Sequence, residues 1–167
     1  MDEGQRVLDL EPVRDLDHHV ARGGGRGLDA ARRLGPAGII EHVQASGLRG
    51  RGGAGFPTGK KLATVAANTS PTVATTVVVN AAEGEPGTFK DRAIMRANPF
   101  RVVEGALIVA EAVASDRVVI ALKAAGGAER GRMREAIDEV VAKGWAPGLS
   151  VEIIEGPSEY LFGEETA

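Results

Sequence analysis

Thr75-Thr76-Val77-Val78-Val79-Asn80-Ala81-Ala82-Glu83-Gly84-Glu85-Pro86-Gly87 changes character in its middle. Three consecutive β-branched valines read as a strand from Thr75 to Asn80, buried on both faces as in a parallel sheet. From Asn80 onward the run turns small, acidic and turn-forming. In open α/β sheets, ligands bind outside the carboxyl ends of the strands. This reading places Asn80, Glu83 and Glu85 at such a mouth.

The segments that follow repeat the pattern. Lys90 to Ala97 reads as a helix. Asn98-Pro99 opens the next, with Asn98 as N-cap and Pro99 at N1, running to about Ser115. Val118 to Leu122 is a second buried strand. Glu129 to Lys143 is an amphipathic helix with Met133, Ile137, Val140 and Val141 inward, and Trp145 in the turn after it reads as a core lid. Val151 to Ile154 is a third strand. Alternating strands and helices with right-handed crossovers define an α/β fold with a parallel sheet.

Upstream lies Ser46-Gly47-Leu48-Arg49-Gly50-Arg51-Gly52-Gly53-Ala54-Gly55-Phe56-Pro57-Thr58-Gly59-Lys60-Lys61. Glycines without Cβ let the backbone lie against a flat ligand, and successive amides in such a loop form an anion-binding nest. Gly50, Gly52 and Gly55 match the dinucleotide fingerprint G-x-G-x-x-G, but that motif follows a strand. Here Pro36 to Gly47 reads as a helix, so the loop is of another design. Lys60 to Asn68 is a short helix with Leu62, Val65 and Ala66 inward. Residues 1–33 read as a poorly ordered leader, with His18-His19 solvated, Gly23-Gly24-Gly25 a hinge, and Leu28 to Leu34 a short helix.

Lys+Arg 20 against Asp+Glu 23 gives 20 − 23 = −3, a balance that does not point to nucleic acid. The chain has no cysteine, so it holds neither a disulfide nor a cysteine-ligated zinc or iron–sulfur centre. The longest apolar stretch, near Ala106 to Ala114, is interrupted by Glu111 and too short to span a bilayer. No signal peptide is visible at the start.

Three motifs in order, Gly50 to Gly59, Val79 to Gly87 and Tyr160-Leu161-Phe162-Gly163-Glu164-Glu165-Thr166-Ala167, resemble one family. It is the flavoprotein subunit of respiratory complex I, the NADH-quinone oxidoreductase, with the related diaphorase subunits of NAD-linked hydrogenases and formate dehydrogenases. The resemblance implies a Rossmann-like parallel sheet flanked by helices, forming an FMN- and NADH-binding domain over 34–167. Family members are much longer, so the chain reads as a fragment or truncated relative. The implied reaction is hydride transfer from NADH to FMN, then electron transfer to iron–sulfur clusters in other subunits of a complex-I-like assembly. The implied place is cytoplasmic, peripheral to the inner face of a membrane complex, with no membrane insertion.

The resemblance also implies roles. Gly50, Gly52 and Gly53 pack against the flavin, Phe56 lies against NADH, and Lys61 contacts the cofactors. Asn80 and Glu83 face the flavin, Glu85 meets NADH, and Tyr160, Gly163, Glu164 and Glu165 form a second wall. A carboxylate at Glu165 disfavours the 2′-phosphate of NADPH. Glu164 and Glu165 also suit the first turn of a helix. The sequence departs from the family at Ala82, where Asp is usual, at Thr64, where an aromatic residue is frequent, and at Phe162, where Cys is common. Ala82 leaves a second reading open, a non-catalytic nucleotide-binding or interaction remnant of the same fold.

Overall fold

Three strands run parallel in the order β1-β2-β3: β1 Thr76–Asn80, β2 Arg117–Lys123 and β3 Ser150–Gly156. A computed structural model describes residues 8, 11–51 and 54–157. The helices are α1 Leu16–Ala21, α2 Arg26–Ala45, α3 Thr58–Ala67, α4 Lys90–Ala97, α5 Pro99–Val113 and α6 Gly127–Ala142. Both crossovers step across the sheet in the same direction. Right-handed connections therefore set α5 and α6 on one face. Val103, Ala106, Leu107 and Ala110 of α5 and Met133, Ile137 and Val140 of α6 join Val77, Val118, Ile120 and Leu122 in one core.

The other face corrects the expectation for β1. Val78, Val119 and Ile154 lie on it by register, with Val78 61% and Ile154 44% exposed. The valine run is thus covered on one side only. Two inward readings also fail: Val65 on α3 and Val141 on α6 are exposed. The Asn98 cap holds, its Oδ1 accepting from Arg101 N–H at 3.2 Å with Pro99 in the first turn. Trp145 is half-buried against the core.

The larger correction concerns 1–33. Its described part is no loose leader: Val13, Leu16, Leu28 and Ala31 are core residues. Val13 N–H donates to Ala97 O at 2.7 Å, and Leu16 N–H donates to a Glu139 carboxylate oxygen at 2.7 Å. The expected Gly23-Gly24-Gly25 hinge is a tight turn in which Gly25 N–H donates to Glu104 at 3.0 Å. α2 continues through Leu28–Leu34 and breaks direction at Gly35, φ 68 and ψ 175. It then carries on past Pro36 as expected.

His19 is buried, not solvated. Asn98 Oδ1 is committed to the α5 cap, so Asn98 Nδ2 faces His19 Nδ1 at 3.3 Å. That makes Nδ1 the acceptor and leaves Nε2 to donate to Glu104 at 2.9 Å. The imidazole stacks on Phe100 at 5.7 Å between centroids. Glu104 also accepts from Leu28 N–H at 3.2 Å.

Burial pushes the Glu104 carboxyl up, but the hydrogen bonds from His19, Gly25 and Leu28 outweigh it and hold the group below its ordinary 4.5. A carboxyl lowered on folding stabilises fully above its unfolded value and loses that contribution as pH falls through the folded one. Glu104→Gln is expected to cost about 1.5–3 kcal/mol at neutral pH. Urea denaturation should show the gap between native and variant closing as the pH drops below 4.5.

Candidate functional site

The glycine loop is closed by backbone pairing across its neck. Gly50 N–H donates to Phe56 O at 2.9 Å, and Thr58 N–H donates to Leu48 O at 2.9 Å. Arg49 Nη1 adds a bond to Gly55 O at 3.0 Å. The left-handed backbone falls at Gly47 and Gly55, φ 66 and 60. A Cβ at Gly50 would meet Phe56 O at an ordinary 3.7 Å. Phe56 is 50% exposed, with Lys60 Nζ 6.0 Å from its ring centroid. Lys61 is exposed in the first turns of α3.

At the end of β1, Asn80 Oδ1 accepts from Ala82 N–H at 3.2 Å and starts the turn away from the sheet. Glu85 is exposed. Its carbonyl accepts from Thr88 N–H at 3.1 Å, with Pro86 and Gly87 between and Gly87 at φ 82. This is the geometry of a type II turn.

Glu83 is the candidate that the fold buries, its side chain 3% exposed. One oxygen, Oε1, accepts from Asp91 N–H at 3.2 Å and lies 3.8 Å from Lys90 Nζ. It caps the start of α4, whose own N-cap, Phe89, has no side-chain bond to offer. The other oxygen, Oε2, accepts no hydrogen bond. Glu83 is one of the residues that line a cavity of about 290 Å³ at the carboxyl ends of β1 and β2. Arg92, Arg96, Lys123 and Glu129 surround this space over a floor that includes Met95 and Leu122. A second cavity of about 290 Å³ opens at the opposite end of the sheet, beside Trp145 and Leu149, and none of the described candidates lines it.

The structure therefore separates the candidates. Among the described candidates, Glu83 alone lines the strand-end cavity. Gly50, Phe56 and Lys61 sit on the loop and α3, which packs on α2 and α5. Asn80 and Glu85 flank Glu83 on the chain and are exposed. Gly52, Gly53, Tyr160, Gly163, Glu164 and Glu165 lie outside the described residues. Sequence reasoning passed over Glu129 as one polar residue of an amphipathic helix. Its signal is Arg92 and Arg96, four apart on one face of α4, which need carboxylates to meet.

A parallel sheet with a buried carboxylate and a cavity at its carboxyl strand ends is an α/β protein with a ligand site where open sheets of this kind place one. Comparison with known proteins is more specific: residues 43–167 match the Nuo51 FMN-binding domain, and the chain belongs to that family. The NADH-quinone oxidoreductase subunit of Aquifex aeolicus that it resembles is 38% identical over 163 residues, 93% of this chain and 38% of that protein. Its namesake in Rhodobacter capsulatus is 40% identical over 162 residues, 92% of this chain and 37% of that one. An NAD+-reducing nickel–iron hydrogenase in its H2-reduced state superposes with a TM-score of 0.76 at 30% identity, covering 95% of this chain and 26% of that one. The chain thus spans a little over a third of the length of these curated relatives.

Gly59 fixes where the loop ends. A Cβ there would fall 2.7 Å from Gln44 N and 2.8 Å from Gln44 Cα, backbone atoms of α2 that cannot swing aside. Gly59→Ala should therefore part α3 from α2 and cost about 1–3 kcal/mol despite alanine's better helix propensity. Chemical denaturation checks this, and a variant as stable as the native chain would show that the two helices part freely.

Proposed function

We propose that this chain is the FMN- and NADH-binding part of an NADH-oxidising flavoprotein. One observation carries the reading: in a chain of the Nuo51 FMN-binding family, Glu83 sets a buried carboxylate among the basic residues that line the cavity at the strand ends. The residues present fit a flavin nucleotide, with acceptors from Glu83 and basic groups from Arg92, Arg96 and Lys123.

When bound, FMN supplies the hydride-accepting and electron-passing chemistry. The chain's own groups bind and orient. Gly50, Gly52 and Gly53 form a surface without side chains against which a flat ring system lies. Phe56 offers an exposed aromatic face to the nicotinamide, and Lys61 a positive charge near the ring. Asn80 and Glu83 set the edge of the flavin site, and Glu85 accepts from the ribose hydroxyls of NADH. Tyr160, Gly163, Glu164 and Glu165 take the role of a second wall, with Glu165 repelling a 2′-phosphate.

The electrons pass to iron–sulfur subunits of a complex-I-like assembly, with quinone as the final acceptor. Among the described residues no helix is long and apolar enough to cross a membrane. A peripheral position on the inner, cytoplasmic face of a membrane complex suits this reading. The remnant reading draws support from Ala82, buried with 4% exposure and carrying no polar group.

Equilibrium dialysis of the chain with FMN separates the two. Retained FMN whose visible absorption bleaches when NADH is added without oxygen supports the flavoprotein. A chain that retains no FMN is the remnant. Glu85→Gln keeps the shape and removes one charge-assisted bond, so NADH should bind about tenfold to a hundredfold more weakly with FMN content unchanged. Equal NADH affinity in both proteins would make Glu85 a solvated turn residue.

A further inference from the structure

His19 is a buried titratable group, 3% exposed, that neither the glycine loop nor the strand-end cavity employs. Several elements close on its ring. α5 supplies Glu104, 2.9 Å from Nε2, and Phe100, stacked at 5.7 Å. Trp145, in the turn after α6, lies 6.3 Å away and tilted. In the turn after α1, a Cβ added at Gly24 would fall 2.2 Å from the ring. Asn98, the cap of α5, stands at Nδ1, 3.3 Å away. Among these side chains Glu104 is the charged one. Its carboxyl is held below 4.5, so it stays an anion across the range in which imidazoles titrate.

A second proton on this ring has one place to go. Nε2 already carries the hydrogen that faces Glu104, so the proton adds to Nδ1. There it meets the side-chain N–H of Asn98, donor against donor. Glu104 is engaged at the other nitrogen, and the ring is held between Phe100 and Gly24. The Asn98 amide is the group that can give way. Half a turn about its last bond brings Oδ1 to the ring in place of Nδ2. Oδ1 then accepts from Nδ1–H and leaves Arg101 N–H, from which it accepts at 3.2 Å beside the neutral ring. We infer that His19 and Asn98 form a proton-driven switch at the head of α5, which trades the helix cap for a bond to the imidazolium. The proton comes from solvent. α5 packs on β1 and β2 and carries Glu104, so the switch loosens the first turn of the helix on which the N-terminal segment sits. It needs no bound cofactor.

Nitrogen NMR of the isotope-labelled 167-residue chain, between about pH 8 and pH 5, tests this. The ring nitrogens report the protons on His19. Hydrogen exchange of Arg101 N–H, taken relative to its intrinsic rate at each pH, reports the cap. At the upper pH the ring should carry its hydrogen on Nε2. As Nδ1 gains a proton, protection of Arg101 N–H should fall by about twofold to thirtyfold with the same midpoint. Gly25 and Leu28, whose N–H groups donate to Glu104, should keep theirs. Asn98→Asp offers one oxygen to the ring and one to the cap, so Arg101 in that variant should stay protected at every pH. A ring that gains its second proton with Arg101 unchanged overturns the switch. So does a ring that stays neutral down to about pH 5. Joint loss of protection at Gly25, Leu28 and Arg101 also overturns it, because the whole N-terminal segment would then be leaving α5. Loss at Arg101 in Asn98→Asp equal to that in the native chain has the same force.

Discussion

Glu104 on α5 accepts from the His19 ring, from Gly25 N–H and from Leu28 N–H, three points along the segment that leads into α2. A buried carboxylate is stable only when such donors surround it. These bonds seat α1 and the start of α2 on α5, and α5 packs on β1 and β2. The far end of α2 meets α3 at the Gln44–Gly59 contact, and the neck of the glycine loop closes there. The place of the loop relative to the strand ends therefore follows from where Glu104 holds the N-terminal segment. Removing that carboxylate would loosen the seat of the loop as well as the core.

At the strand ends the charges follow a second logic. α4 presents Arg92 and Arg96 one turn apart, and each comes near a buried carboxylate from another element. Ion pairs with one wet partner add little stability on their own, and Arg96 is 62% exposed. Their stronger effect is to place positive charge beside two carboxylates that the fold takes out of water. Glu83 caps α4 with one oxygen and holds the other 3.6 Å from Arg92 Nε.

Much of this was legible in the residues. The valine run, the Asn98-Pro99 start and the α6 periodicity fix the order of strands and helices, because each is a local signal. The Pro86-Gly87 turn is local too. What escaped depends on partners far along the chain. His19 looks solvated until Glu104 and Asn98 come to it from more than 75 residues away. Val78 looks two-sided because the composition of a strand does not say which face the crossovers cover. Glu129 carries no motif, and only the return of α6 beside α4 brings it to Arg96 and to the cavity of Glu83.

The central claim is that the cavity between β1, α4 and α6 is where the flavin nucleotide seats. The most direct measurement is the change in backbone amide resonances of the isotope-labelled chain as FMN is added. The account predicts shifts concentrated at Ala81 to Glu83 and at Lys123 to Glu129, saturating together. Shifts confined to the opposite end of the sheet, around Trp145 and Leu149, or no shifts at all, would contradict it.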